Sequence, residues 1–265
     1  MSNQTLETKM RGSRDRLFER VLKKVAGDAI YTTSLEDRER WLEEALKGIP
    51  SNSRILDAGA GETQYSKFCR HLNYVSQDFG KYNGQGDGSG LQTGSWDNSQ
   101  LNIISDITSI PEPDNSFDAI MCIEVLEHIP APIDALREFS RLLKPGGQLI
   151  LTAPFASLTH FAPYHFYSGF NSYFYHKWLQ EFGFKIIDIT PNGNYFEYLR
   201  LELGRLRSVV RENAKNKKWL SPVEYFCVWV LLRALKKFSL NDTGSHKTLC
   251  FGYHLKATKL PSLGY

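Results

Sequence analysis

The sequence predicts an α/β fold in which helices cover both faces of a mainly parallel sheet. Short apolar segments alternate with helical patterns between residues 54 and 153, an order typical of strands joined by crossover helices. The segments are apolar throughout rather than at every second residue, as expected for strands buried on both faces. With 265 residues, of which 42% are hydrophobic and 23% charged, the chain suits one large globular domain and excludes a disordered chain or a disulfide-stapled miniprotein.

Seven strands are predicted along the chain. A glycine turn and a helix at 64–72 follow the first strand, and an amphipathic helix with Leu136 and Phe139 on its apolar face follows the fourth. The Lys-Pro-Gly-Gly segment at 144–147 predicts a turn into the fifth strand. The predicted strands are 54–56, 73–76, 101–105, 117–122, 148–153, 185–190 and 250–257.

The N-terminal part predicts helices at residues 17–47. Ser34 with Asp37 marks a helix start, and Gly48 and Pro50 mark its end. The first residues contain no apolar run, so we expect no signal peptide. We divide the chain into N-terminal helices at 1–50, a core at 51–194, a helical insertion at 195–248, and a final strand with a tail at 249–265.

Residues 79–100 form a glycine-rich polar segment without periodicity. It is either a flexible insertion or a lid or wall of a binding site. The second interpretation rests on its position after a strand, because open α/β sheets bind ligands at the carboxyl ends of their strands.

The helix predicted at 222–238 has apolar residues on two sides. Ser221, Pro222 and Glu224 form a capping box with proline at the first helical position. The apolar run Tyr225–Leu232 is too short to span a bilayer. The helix therefore packs on the sheet, forms a homodimer contact, or lies on a membrane surface.

The cysteine content predicts a cytoplasmic protein, and the charged residues are distributed unevenly along the chain. Residues 200–265 contain 13 Lys and Arg against 4 Asp and Glu, although the whole chain has a net charge of only +3. The four cysteines are far apart and include no CxxC pair, so we expect reduced, mostly buried thiols. We expect a cytoplasmic protein, with a location peripheral to a membrane as the open alternative.

Acidic residues and glycines at strand ends carry the functional signal. The first strand runs through Asp57 into Gly59-Ala60-Gly61, where the absence of side chains lets the backbone approach a ligand. Asp78 and Asp106 end the next two strands, and the 21-residue spacing from Asp57 to Asp78 suits a carboxylate that binds ribose hydroxyls. Gln64 replaces the third glycine of a dinucleotide fingerprint. The pattern therefore favours a ligand with a ribose and a positive charge.

These motifs resemble those of class I S-adenosylmethionine-dependent methyltransferases, especially the small-molecule type of the ubiquinone pathway. Residues 54–62, 117–128 and 143–151 are similar to ordered motifs of that family. The resemblance covers residues 40–190 and the final strand. It implies a Rossmann-like, doubly wound sheet of seven strands with the last one antiparallel, and methyl transfer from a bound sulfonium cofactor.

The resemblance also implies which residues bind S-adenosylmethionine. Asp78 is similar to the ribose-binding acid of the family, and Asp106 with Ile107 to the pair that contacts adenine. The implied cofactor-binding residues are Asp57, Gly59, Ala60, Gly61, Asp78, Asp106, Ile107 and Cys122.

Glu124, Glu127 and His128 follow the fourth strand. Such a trio is commonly a solvated helix start, because acids are favoured near a helix N-terminus. Similar E-x-x-E-H stretches bind a divalent metal in some ubiquinone-pathway and small-RNA 2′-O-methyltransferases. A metal requirement is therefore left open.

Three histidines near the expected ligand-binding edge are candidates for a general base. They are His128, His160 and His165, the last two within an aromatic-rich segment after the fifth strand. Each is alternatively a hydrogen-bonded structural residue, and methyl transfer by proximity alone needs no base. We treat the remaining histidines, among them His254, as structural.

The favoured function is methylation, preferably at oxygen, of a small metabolite or a glycan or lipid-linked precursor. An RNA methyltransferase and a non-catalytic scaffold with this fold are the alternatives. The sequence has no stripe of basic and aromatic residues typical of RNA-binding surfaces, so a nucleic-acid partner is not favoured. An intact set of carboxylates and glycines argues against a scaffold.

Overall fold

The computed structural model describes residues 34–213, 215 and 222–261. A seven-stranded sheet with the order β3-β2-β1-β4-β5-β7-β6 forms its centre. The strands are β1 (Arg54–Ala58), β2 (Asn73–Asp78), β3 (Ile103–Ile104), β4 (Phe117–Ile123), β5 (Leu143–Pro154), β6 (Phe184–Asn192) and β7 (Gly252–Lys259). Strand β7 runs antiparallel to both of its neighbours, and the pairs among β1 to β5 are parallel.

Five α-helices accompany the sheet in the described part of the chain. They are α1 (Ser34–Lys47), α2 (Pro132–Leu142), α3 (Ser172–Glu181), α4 (Tyr195–Asn213) and α5 (Pro222–Leu240). Helix α2 begins with proline at its first position, where the missing N–H breaks no hydrogen bond. None of the described helices is long and apolar enough to cross a membrane.

Each face of the sheet has its own apolar core. Side chains alternate along β4, so that Ile120 and Cys122 belong to the cluster with Phe139 of α2. Ala119 and Met121 point the other way and belong to the cluster with Leu42 and Leu46 of α1. This two-sided burial explains why the strands are apolar at every position.

The predicted fold class is confirmed. The sheet is doubly wound, its last strand is antiparallel, helices lie on both faces, and α4 and α5 form a helical insertion between β6 and β7. Strands β2 and β3 lie on one side of β1 and strands β4 and β5 on the other, so the strand order reverses between β1 and β4. Such a reversal leaves a crevice at the carboxyl ends of the strands.

The predicted helix at 64–72 is wrong. That segment has one 3₁₀ turn, Ser66–Phe68, and its hydrogen bonds join each N–H to the carbonyl three residues earlier, as from Ser66 to Thr63. Thr63 has a φ of +56°, a left-handed conformation that a continuous α-helix excludes. The first crossover is therefore a tight loop rather than a helix.

Other predicted boundaries shift. Strand β3 has two residues instead of five, and β5 begins at Leu143, before the predicted turn, with a register shift against β4. The predicted end of the first helix near Gly48 is confirmed, and its start at Ser34 stays a prediction, because the residues before Ser34 lie outside the described part of the chain. The helices predicted at 17–33 and the cap residue Ser221 lie outside the described residues.

Candidate active site

A cavity of about 440 Å³ lies at the carboxyl ends of the parallel strands, beside the point where strand order reverses. Asp57 of β1, Asp78 of β2, Glu124 after β4 and Pro154 of β5 all line it. Helix α4 and the segment 79–100 close its sides. The cavity has a carboxylate half near β1 to β3 and a histidine half near β4 and β5.

The loop after β1 is built from close backbone contacts. The N–H groups of Gly59 and Ala60 both donate to the carbonyl of Gln77, each at 2.8 Å. Gly59 has a φ of +82°, and a Cβ placed there would lie 2.4 Å from Cγ1 of Val125. Glycine at 59 therefore allows the β1 loop to pack directly against the segment that follows β4.

Asp57 is a buried carboxyl at the base of the carboxylate half. Only 2% of it is exposed, and it accepts a hydrogen bond of 2.6 Å from the Tyr74 hydroxyl. Burial raises the pKa of Asp57 to about 7, the Tyr74 hydrogen bond opposes this shift, and the nearby Asp78 adds to it. A cationic ligand group beside Asp57 would favour the ionised form.

Asp78 and Asp106 complete the carboxylate half. Asp78 accepts hydrogen bonds from the N–H groups of Gly61 (3.1 Å) and Gly80 (2.9 Å). Burial raises the pKa of Asp78, and these hydrogen bonds counteract the shift. Asp106 accepts from the backbone N–H and hydroxyl of Thr108, which lowers its pKa. The structure thus brings together all three predicted carboxylates.

The remaining predicted cofactor-binding residues divide into two groups. Gly59, Ala60, Gly61 and Ile107 line the cavity. Cys122 does not, and its assignment to the site is wrong. Its side chain is fully buried in the core under α2, because alternation along β4 directs the neighbouring Ile123 to the cavity instead.

The glycine-rich segment 79–100 forms a wall of the cavity, as one of the two interpretations predicted. Tyr82 stacks on Phe161, with 4.7 Å between ring centroids, and meets Trp96 edge to face. The backbone of Leu91 pairs with the segment after β5: its N–H donates to Thr159 and its carbonyl accepts from Phe161. This wall joins the two halves of the cavity and is mainly aromatic.

The histidine half centres on Glu127, which is 1% exposed. Its Oε1 lies 3.6 Å from Nε2 of His128 and 3.8 Å from Nε2 of His160. The Nδ1 atoms of these rings lie 2.6 Å from the Tyr164 carbonyl and 2.8 Å from the Leu158 carbonyl. Because a carbonyl only accepts, each Nδ1 carries a hydrogen in these bonds, and in the neutral ring Nε2 has a free lone pair.

His165 brings a third imidazole to this cluster. One ring nitrogen each of His128, His160 and His165 lie within 4.8 Å of one another. Among the described residues, neither ring nitrogen of His165 nor Oε2 of Glu127 has a hydrogen-bond partner, although all three atoms are buried. Buried polar atoms without partners are costly, so this cluster is suited to a ligand that supplies the missing contacts.

Burial controls the protonation of the cluster. It lowers the pKa of His128 to about 3, assisted by His160, and it also lowers the pKa values of His160 and His165. Burial, together with the neighbouring Glu124, raises the pKa of Glu127 well above its usual range. Three neutral imidazoles beside one carboxyl can either coordinate a cation or accept a proton.

Glu124 does not join the cluster as the E-x-x-E-H pattern suggested. Its Oε2 forms an ion pair of 2.9 Å with Arg38, and its Oε1 accepts a hydrogen bond of 2.8 Å from Thr152. His160 and His165 take its place beside Glu127 and His128. The predicted trio is therefore corrected to Glu127 with three histidines.

Sequence reasoning missed several cavity residues from distant parts of the chain. They are Arg38 of α1, Tyr65, Tyr82 and Trp96, Tyr198 and Arg205 of α4, and His254 of β7. His254, expected from the sequence to be structural, is buried, stacks on Trp41 with 4.7 Å between ring centroids and lines the cavity. No local motif marks these positions, because they meet only through the tertiary fold.

Comparisons with known proteins agree with this arrangement. A family model described as a methyltransferase domain matches residues 31–189. The ubiquinone biosynthesis O-methyltransferase of Xanthomonas oryzae pv. oryzae (strain PXO99A) is 54% identical over 41 residues, which are 16% of this chain and 17% of that protein. The protein of the same name from Dechloromonas aromatica (strain RCB) is 31% identical over 116 residues, 42% of this chain and 48% of that protein. The chain thus matches less than half the length of these relatives.

Solved structures with a similar fold include a methyltransferase and a cyclase. A SAM-dependent methyltransferase from Archaeoglobus fulgidus has a TM-score of 0.51 at 16% identity, with 91% of this chain and 99% of that chain covered. The cyclase SpnF has a TM-score of 0.50 at 18% identity, with 84% and 80% covered. At these identities the likeness establishes the fold alone.

The close approach at Gly59 generates a stability prediction. Gly59→Ala adds a methyl group against the stiff side chain of Val125 and strains a left-handed φ, whereas Gly88→Ala strains a nearly equal φ of +81° in open space. We expect Gly88→Ala to lower the free energy of unfolding by about 1–2 kcal/mol. Gly59→Ala should lower it by a further 1–3 kcal/mol, roughly the cost of overpacking. Equal losses for the two variants in denaturant titrations would contradict the packing described here.

Proposed function

The chain belongs to the methyltransferase domain family, as a class I S-adenosylmethionine-dependent enzyme, and we propose that it methylates a hydroxyl oxygen of a small acceptor. The acceptor is a metabolite or a glycan or lipid-linked precursor, and it binds in the histidine half of the cavity. The observation that carries the proposal is the single cavity that joins the Asp57–Asp78 half to the Glu127–histidine half.

The residues of the carboxylate half fit S-adenosylmethionine. A Cβ at Gly61 would lie 2.5 Å from the Trp96 ring, so the glycine turn packs directly against this ring and has no room for a side chain at residue 61. Asp78 presents carboxylate oxygens for ribose hydroxyls, Asp57 presents a carboxyl for the ammonium group, and Asp106 with Ile107 lies where adenine is expected. The cofactor supplies an electrophilic methyl group on a positively charged sulfur.

Within this proposal the protein contributes orientation, exclusion of water and a place for the acceptor's proton. The aromatic wall of Tyr82, Trp96 and Phe161 shields the cavity from solvent and offers flat surfaces to an acceptor. Orientation of two bound reactants supplies much of the acceleration in such a transfer. Because burial lowers the pKa values of the three imidazoles, the proton leaves late, when methyl transfer has made the O–H group strongly acidic, and it passes to a neutral Nε2 of the histidine cluster.

We further propose that the histidine cluster holds a divalent cation. In His128 and His160 the ring nitrogen that would not bind the metal already has a partner, because Nδ1 donates to a backbone carbonyl. Metal-bound histidines usually make such a hydrogen bond. Three imidazole nitrogens within 4.8 Å of one another suit zinc or a neighbouring transition metal better than magnesium or calcium, which prefer oxygen ligands. A cation there would lower the pKa of an acceptor hydroxyl.

Oxygen is favoured over nitrogen as the methylated atom for two reasons. The relatives are named O-methyltransferases, and activation of a hydroxyl needs the proton-accepting or metal-binding groups that the cluster offers. A neutral amine is nucleophilic without them. The unusual concentration of imidazoles near the cavity is therefore better explained by a hydroxyl acceptor.

The choice of oxygen is tested with matched pairs of small acceptors that differ only in hydroxyl or amino groups, such as catechol and 1,2-diaminobenzene. We expect formation of S-adenosylhomocysteine with hydroxyl members of the panel and a loss of that product in His128→Ala. Product formation confined to the amino members, or none with any acceptor, would contradict the proposal.

The raised pKa of Asp57 predicts a pH-dependent affinity for the cofactor. Below pH 7 the carboxyl is largely protonated, so binding of a cationic ligand must release a proton. The affinity for S-adenosylmethionine should therefore rise as pH increases through about 7 and level off above it. Isothermal titration in buffers of different ionisation enthalpy measures both the affinity and the released proton.

Two variants make this prediction specific. Asp57→Asn should bind more weakly and lose both the pH dependence and the proton release. Asp134→Asn removes a half-exposed carboxylate on α2 and should behave like the wild type. A wild-type affinity that is independent of pH, or an unchanged pH profile in Asp57→Asn, would show that Asp57 does not respond to the cofactor.

Metal binding is tested without reference to activity. After dialysis against EDTA, titration with Co²⁺ should give the visible absorption of a nitrogen-coordinated ion. We expect His160→Ala to weaken Co²⁺ binding by at least about tenfold. His176→Ala, at an exposed position on α3, is the matched control and should have no effect. Equal Co²⁺ affinity in the wild type and His160→Ala would exclude the proposed site.

A further inference from the structure

The outward face of α5 is an exposed apolar surface. Val223 is 71% exposed, Phe226 62% and Val230 45%. Their spacing of three and four residues puts them on one side of the helix. Cys227 is also exposed and, with its spacing, lies on the same side. We call this surface, made of Val223, Phe226, Cys227 and Val230, the outer face of α5.

The opposite side of α5 already has a partner. Leu232 and Leu235 are 2% and 6% exposed, and α5 packs against α4. The helix is therefore apolar on two sides, and within the described part of the chain one of them packs on the fold while the other is exposed. Exposed apolar residues grouped on one face of a helix mark a surface that binds something else.

Basic residues border the outer face. Arg233 and Lys237 are both exposed. By helical spacing Arg233 lies at the edge next to Phe226, Lys237 lies at the C-terminal end of the face itself, and the exposed Glu224 lies beyond the opposite edge. The Arg233 guanidinium lies 5.0 Å from the centre of the Trp229 ring, which holds it next to apolar surface. In the sequence, residues 200–265 carry 13 Lys and Arg against 4 Asp and Glu. An apolar face with a basic border is typical of helices that lie in the surface of an anionic bilayer.

We propose that the outer face of α5 docks this protein on an anionic lipid bilayer, with the helix parallel to the membrane plane. A second copy of the chain is a poorer occupant, because a symmetric contact through this face would bring the basic borders together. An anionic surface instead complements them and adds about 1 kcal/mol of attraction per basic residue near the surface.

Helix α4 lies between α5 and the cavity. Helix α4, on which α5 packs, contributes Tyr198, Leu201 and Arg205 to the cavity wall. The proposal concerns lipid binding alone and does not depend on the acceptor or on methyl transfer.

The test is flotation of the full chain with vesicles of phosphatidylcholine, with and without phosphatidylglycerol. We expect binding to the anionic vesicles, weaker binding to the neutral ones, and loss of binding as salt is raised, since salt screens exposed charges. Phe226→Glu and Val230→Glu should each reduce binding by at least about tenfold, through lost apolar contact and added repulsion.

The matched control is Ile187→Glu, which makes the same kind of change at a 58% exposed apolar residue on β6. It should bind anionic vesicles like the wild type, and circular dichroism should show that every variant is folded. An equal loss in Ile187→Glu, or no flotation of the wild type, would overturn the proposal. So would a wild type that stays off vesicles but forms a dimer that Phe226→Glu dissociates, which would assign the face to a second copy.

Discussion

The contact between the β1 loop and the segment after β4 is the constraint on which the rest of the site depends. Gly59 and Ala60 share the Gln77 carbonyl, which fixes the loop over β2, and the absence of a Cβ at residue 59 admits Val125. Val125 is flanked by Glu124 and precedes Glu127 and His128 by only two and three residues. The distance between the two halves of the cavity is therefore fixed by backbone packing at this one point.

The site also buries carboxyl and imidazole groups whose hydrogen bonds and neighbouring charges do not fully offset the loss of solvation. Burial is the largest cause that raises the pKa values of Asp57, Asp78 and Glu127 and lowers that of His128. Neutralising a carboxyl or leaving a polar atom without a partner costs free energy of folding. A positively charged cofactor in one half, and a cation in the other, would each supply what these groups lack. The site is thus arranged for cationic ligands at both ends.

The sequence was sufficient for the sheet and the carboxylate half because both depend on local patterns. Strands buried on both faces are continuous apolar runs, and Asp57, Asp78 and Asp106 occur where those runs end. The helix predicted at 64–72 was wrong because the composition of this segment suits a helix, whereas its backbone forms hydrogen bonds of three-residue spacing around a 3₁₀ turn at Ser66–Phe68. Cys122 was misassigned because a motif match does not reveal which side of a strand a residue faces.

The histidine half could be predicted only in part. His128, His160 and His165 were each candidates. Their positions around Glu127 depend on the segment after β5, whose residue His160 forms a β-bridge with Leu91 of the segment 79–100. Likewise, the pairing of Arg38 with Glu124 joins residues 86 positions apart. The two apolar sides of α5 were visible in the sequence. The packing of α5 on α4 determines which of them is exposed, and the sequence does not show that packing.

We infer that one cavity holds the cofactor's methyl group next to the histidine cluster. The most direct test is the ¹³C NMR signal of bound S-[methyl-¹³C]adenosylmethionine during titration with paramagnetic Co²⁺. We predict strong broadening of that signal in the wild type, and none in His128→Ala at the same Co²⁺ concentration. A bound methyl signal that Co²⁺ leaves unchanged in the wild type would contradict the account.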